Sequence, residues 1–227
     1  RLLHQVNFAG ADLAHSVFTY VFGDIRALQF SATGQLLVAA LVQDKLCLWR
    51  AADGQLLHAY QSFGADATLA AFSRTPTQLG QERLLLAIGH TDHQVRIWDI
   101  QEDADQKRLL HTFPHPERLW TLAFSPDGKW LASSNGSGEI FVWDLMRGQL
   151  YHRWPAHSTA VPALAFAPDG ERLASGDVDG AIHLWQIGAL TPRATWRGHR
   201  EEVHALLFNH TGTLLVSGSH DRTILVW

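Results

Sequence analysis

Cysteine is nearly missing from this chain: Cys47 is the only one in 227 residues. Disulfides therefore cannot hold the fold, and a reducing, cytoplasmic setting is expected. No apolar run approaches the roughly 20 residues that cross a bilayer, and no signal peptide is visible, so no membrane association is expected. Basic charge is sparse as well. Lys and Arg number 18 against 22 Asp and Glu, the net charge is −4, and both signs are spread along the chain. A nucleic-acid surface needs clustered Lys and Arg, so no nucleic-acid partner is expected. No phosphate loop of the form GxxxxGK[ST] occurs.

What is present is repetition. Phe30, Phe72, Phe124, Phe166 and Phe208 follow one another at gaps of 42, 52, 42 and 42. Trp49, Trp98, Trp143, Trp185 and Trp227 follow at 49, 45, 42 and 42. Five copies of one unit result, and "VPALAFAPDGERLASGDVDGAIHLWQI" is the clearest. Each copy predicts three short strands separated by turn residues, with a weaker fourth strand after the tryptophan. Ser125 to Gly128 places Pro and Gly where a type I turn takes them, and Asp169-Gly170, Thr211-Gly212 and Thr33-Gly34 fill the same slot. A four-stranded sheet this small buries its faces only against neighbouring copies, so the copies must stack.

With these spacings, residues 21–227 resemble the WD-repeat β-propellers. The resemblance implies an all-β propeller of four-stranded antiparallel blades, at about 21–62, 63–114, 115–156, 157–198 and 199–227, either closing as a five-bladed ring or, the favoured reading, forming part of a seven-bladed one. It also implies a structural tetrad in each blade. The fifth copy supplies His199, Ser217, Asp221 and Trp227, and the fourth His157, Ser175, Asp179 and Trp185. The third keeps His115, Ser133 and Trp143, with Ser137 in the aspartate slot. The second keeps Asp92 and Trp98, with Phe63 and Ile88 in the His and Ser slots, and the first keeps only Trp49, beside Val21, Ala39 and Gln43.

A Ser, a His and an Asp in one network also describe a hydrolase. Here the set recurs in successive blades, and no GxSxG elbow precedes any of the serines, so the tetrad reads as scaffolding and no catalytic residue is expected. The runner-up reading is a propeller hydrolase or metal-dependent lyase with a site in the channel. His90, Asp92 and His93 share one turn and are zinc-ligand types, but no CxxC or HExxH accompanies them. The turn reads as polar scaffolding, and no metal or other cofactor is expected. Cys47 occupies a slot that elsewhere holds Arg96, Phe141, His183 and Leu225, so it reads as a structural cysteine.

Trp120 is the one tryptophan outside the repeat's own placements. It stands four before Phe124, where the other copies have Arg26, Thr68, Pro162 and His204. In the resembled fold this slot lies near the rim of the central channel, on the face used most often for binding. These five residues form the candidate rim for a protein or peptide ligand, with Trp120 either an anchor or a packing residue against the next blade. The second copy also carries insertions at "SRTPTQLGQER" and around "QEDADQKR", read as solvated loops.

The first twenty residues keep a different period. In "VNFAGADLAHSVF" Phe8, Leu13 and Phe18 recur every five, as in a pentapeptide-repeat β-helix, while Ser16 to Tyr20 reads as a strand that enters or closes the propeller. The combination resembles the C-terminal half of bacterial NACHT or NB-ARC type signalling NTPases. With Arg1 first and Trp227 directly after a strand-like run, the chain reads as an excised piece, and an NTPase domain would lie upstream. The expected function is a non-enzymatic interaction scaffold or sensor.

Overall fold

The computed structural model describes residues 25–30, 34–41, 45–61, 67–76, 82–100 and 107–227. The period-five segment and the strand expected at Ser16 to Tyr20 lie outside them, as do Val21, Gln43, Phe63 and the centres of both insertions. No helix occurs among the described residues, and every regular element is a short strand. The chain divides into two compact units, Arg1–Thr112 and Phe113–Trp227.

The first unit begins with a sheet of β1 (Ile25–Phe30), β2 (Leu36–Leu41), β3 (Lys45–Arg50) and β4 (Leu56–Gln61), antiparallel in that order. A second sheet follows: β5 (Ala67–Pro76), β6 (Glu82–His90), β7 (Gln94–Ile100) and β8 (Lys107–Pro114). Part of the first insertion is strand and not loop, because Ser73 to Pro76 pair with Glu82 to Leu85 and lengthen the hairpin. Leu46, Leu48 and Tyr60 from one sheet pack with Phe72, Leu86 and Ile88 from the next, which is how sheets of this size exclude water.

The second unit holds β9 (Leu119–Phe124), β10 (Trp130–Asn135), β11 (Glu139–Asp144) and β12 (Gln149–Pro155). Then come β13 (Ala163–Phe166), β14 (Arg172–Gly176), β15 (Ala181–Gln186) and β16 (Ala194–Arg197). Three strands end the chain as given: β17 (Val203–Phe208), β18 (Leu215–Ser219) and β19 (Ile224–Val226). All neighbours are antiparallel. All six residues of β10 are buried, as expected for an inner strand covered on both faces. One face sends Trp130 and Ala132 against Phe166, Leu173 and Trp185 of the following sheet. The other face carries the polar Ser133 inward, which requires partners.

Candidate interaction rim and the buried networks behind it

Those partners are the same in all three sheets of the second unit. Ser133 Oγ accepts from Trp143 Nε1 at 3.0 Å and lies 2.7 Å from His115 Nε2. Ser175 stands between Trp185 (2.8 Å) and His157 (2.7 Å), and Ser217 between Trp227 (2.9 Å) and His199 (2.7 Å). The sequence spacing explains the recurrence: the tryptophan lies across the β-hairpin from the serine, and the histidine lies on the loop that leads into the first strand.

The far side of each histidine differs. Asp221 receives the Nδ1–H of His199 at 3.0 Å. In the fourth copy the expected carboxylate, Asp179, is exposed in the turn. His157 donates instead to Asp177, at 2.8 Å, whose other oxygen accepts the Ala181 amide at 2.8 Å. The backbone turns match: Gly180 N–H bonds Asp177 C=O, and Arg222 N–H bonds Ser219 C=O. The carboxylate therefore comes from the first turn position in one sheet and the third in the other. In the third copy Ser137 does not reach the histidine. Its hydroxyl bonds Asn135, which caps the Glu139 amide at 2.8 Å, and His115 Nδ1 donates to the Phe113 carbonyl at 3.2 Å. In the second copy Asp92 is exposed and binds Arg96 and the Gln94 amide, so its carboxylate serves the turn; Trp98 is half-buried on β7.

These partners fix the proton positions. Carbonyl and carboxylate oxygens only accept, so Nδ1 is the donor in all three histidines. In the neutral imidazole Nε2 is then bare and accepts the serine hydroxyl, which in turn accepts the indole N–H. Donation runs one way, from Trp to Ser to His and outward. Burial acts to raise the Asp177 carboxyl, but the His157 N–H and the Ala181 amide outweigh it and hold the group lowered. The Thr223 hydroxyl, with the Arg200 and Thr223 amides and His199 against a smaller burial effect, keeps Asp221 well below the usual carboxylate range. Burial pushes His115 down to about 4; the Phe113 carbonyl opposes this and Arg153 reinforces it.

Four of the five rim candidates have a common backbone cause. Pairing of β17 with β18 skips from Val203 to Ala205, leaving His204 as a bulge. β9 skips Trp120 in the same way, β5 skips Thr68, and β1 skips Arg26. Pro162 lacks an N–H, and its ladder starts one residue later, at Ala163. A bulged residue is released from the ladder and re-aimed, so sheet pairing does not restrict its type. In the first unit Thr68 turns its hydroxyl back to the Gly89 carbonyl at 3.1 Å, and only the backbone of Arg26 is described. In the second unit β9, β13 and β17 are neighbours in that order, so Trp120, Pro162 and His204 stand at the same end of adjacent strands. Trp120 is 40% exposed, with its indole over Gly136 of its own sheet.

The family described as "WD domain, G-beta repeat" matches residues 107–144, 148–186 and 190–227, just over half of the chain. The chain belongs to the WD-repeat family. Its sheets are the antiparallel blades of a β-propeller. Each matched WD repeat takes the fourth strand of one blade with the first three of the next, β8 with β9 to β11 for example.

Among curated WD-repeat relatives, Periodic tryptophan protein 2 of Arabidopsis thaliana is 43% identical over 68 residues, covering 30% of this chain and 7% of that protein. WD repeat and SOCS box-containing protein 1 of Homo sapiens is 38% identical over 69 residues, 30% of this chain and 16% of that protein. Eukaryotic translation initiation factor 3 subunit I of Pyricularia oryzae is 28% identical over 109 residues, 47% and 29% respectively. The matches span less than a third of the length of each of these relatives.

The WD network has a consequence in acid. An unfolded histidine titrates near 6.5, and His115 in the fold near 4. Between these values the unfolded chain holds a proton that the folded chain does not. Stability contributed by the neutral, buried ring is complete above 6.5 and is lost as pH falls through the window, by about 3 kcal/mol. Urea midpoints at pH 7 and 4.5 should separate more in the wild type than in His115→Asn; equal separations would show that burial of this ring is not felt.

Proposed function

We propose that the chain is a non-catalytic interaction scaffold whose rim residues take a protein or peptide ligand. WD-repeat proteins are generally non-enzymatic scaffolds, and the observation that carries the reading here is the bulging of Trp120 and His204 out of the ladder, with Pro162 just ahead of its own, at one end of three adjacent strands. A large aromatic presented this way offers contact area with few rotatable bonds, the usual anchor of an interface. The Ser–His–Asp networks support scaffolding over catalysis. Ser133, Ser175 and Ser217 are fully buried and already hold two partners each.

The test is selection of ligands from a phage-displayed peptide library, followed by titration of the winning peptides. Trp120→Ala is expected to weaken them at least tenfold, while Tyr151→Ala, on the outer strand β12, leaves them unchanged. Failure to select any peptide, or indifference to Trp120→Ala, would overturn the rim reading.

The finer reading is a sensor propeller behind a bacterial signalling NTPase, in the cytoplasm. It rests on the five-residue period of "VNFAGADLAHSVF" and on the scarcity of cysteine. The relatives named above are eukaryotic. Sequencing the flanking gene tests it directly: a GxxxxGK[ST] loop upstream supports it, and a continuous coding region without one removes it.

A further inference from the structure

We propose that Glu202, His204 and His220 form a binding site for a divalent cation of the zinc class on the fifth blade. The three residues are adjacent only in space. Each offers one ligand atom, and these atoms lie within 4.8 Å of one another. Glu202 Oε1 is 3.5 Å from His204 Nδ1, and Glu202 Oε2 is 3.8 Å from His220 Nδ1. Both separations are too long for a good hydrogen bond. They are close to the spacing a shared metal imposes: ligand bonds of roughly 2.0–2.1 Å in tetrahedral geometry hold the ligand atoms about 3.4 Å apart. The two rings meet edge to face with centroids 3.7 Å apart, and the Nδ1 atom of each lies beside the Glu202 carboxylate.

The backbone already holds this arrangement. Glu202 and His204 flank Val203, which is fully buried and anchors the start of β17. Glu202 directly precedes the strand and His204 is its bulged second residue, and the two side chains converge at 3.5 Å. The bulge that frees His204 from the ladder aims its ring, and the His220 amide donates to the Glu202 carbonyl at 2.9 Å, tying the third ligand to the first. Ser219 Oγ adds a bond to the Glu201 carbonyl at 2.9 Å. An ion would therefore meet ligands whose main chains need little reordering.

The donor set selects the ion. Two imidazole nitrogens and one carboxylate suit Zn²⁺ and its transition-metal neighbours, whereas Mg²⁺ and Ca²⁺ require oxygen ligands. Three protein ligands leave a fourth tetrahedral position open. The side chains of His204 and His220 are 39% and 62% exposed, so that position faces solvent. The metal site is independent of the peptide-binding rim reading, although His204 figures in both.

The experiment uses the full chain, freed of metal by chelation and exchanged into chelator-free buffer. It is titrated with Zn²⁺ by calorimetry and with Co²⁺ by visible absorption. One equivalent of Zn²⁺ is expected, with d–d bands of four-coordinate intensity for Co²⁺ and no heat for Mg²⁺. His204→Ala, His220→Ala and Glu202→Gln should each weaken Zn²⁺ at least tenfold. His210→Ala, an exposed histidine elsewhere on the blade, should change nothing. All four side chains are at least partly exposed, and unchanged tryptophan fluorescence verifies the fold. Absence of saturable Zn²⁺ binding, or binding that survives the His204→Ala/His220→Ala double variant, would overturn the site. Trp120→Ala should leave the metal titration unaltered, which separates this result from that of the rim.

Discussion

Gly138→Ala is expected to destabilise the Phe113–Trp227 unit by about 4 kcal/mol, the sum of a forced left-handed backbone and a clash that cannot relax. Gly138 has a φ of +84°, and a Cβ there would stand 2.2 Å from the carbonyl oxygen of His157. That carbonyl belongs to the loop that the Gly138 carbonyl itself holds, through the Ala156 and His157 amides at 2.9 and 3.0 Å. The substituent therefore pushes apart the two segments that its own residue ties together. Gly180 repeats the arrangement, with its added Cβ 2.5 Å from the His199 carbonyl. Gly170 is the control: its φ is +71°, but its nearest neighbour is the Asp127 side chain at an ordinary 3.4 Å. Gly170→Ala should cost only the backbone share, about 1 kcal/mol. Urea unfolding of both variants checks the pair. A Gly138→Ala protein no less stable than Gly170→Ala would mean that the loop yields.

Ser175→Ala removes one oxygen and strands two groups. The Trp185 indole N–H loses its acceptor, and His157 Nε2 loses its donor. All three side chains are buried, so water cannot replace the hydroxyl without opening the blade. Each buried group left without a partner costs about 1–3 kcal/mol, and a loss of about 3 kcal/mol is expected. Adding Trp185→Phe to Ser175→Ala removes one stranded group. The double variant should therefore be less destabilised than the sum of the two singles, by about 1 kcal/mol. A Ser175→Ala protein within 1 kcal/mol of wild type would show that the serine is no hub.

The sequence carried the blades well because they rest on period and turn chemistry. Recurrent Phe and Trp placed the strands, and glycine-containing turns separated them. The Trp–Ser–His part of each network was legible for the same reason: a hairpin register sets it. The acceptor was not. Asp177 and Asp179 lie on one turn two residues apart, and only the backbone geometry shows which of them faces His157. His115 takes a backbone carbonyl, which no side-chain pattern reveals. The candidate rim slot is counted back from the phenylalanine, but the bulge at four of its five residues appears only in the pairing register. The Glu202–His204–His220 cluster was missed because His220 is 16 residues from His204, far outside a local ligand motif. The sole available signal was the closeness of Glu202 and His204 in the sequence.

The one-way order of donation in the networks also sets which losses a blade survives. Its outer end is a replaceable terminator. An aspartate at the third turn position, an aspartate at the first, and a main-chain carbonyl all close it, in Asp221, Asp177 and Phe113. Its middle has no such freedom, since a serine that fails takes the bonds on both sides with it. An engineer transplanting these blades should therefore move Trp, Ser and His as one indivisible block and treat the acceptor as an interchangeable part.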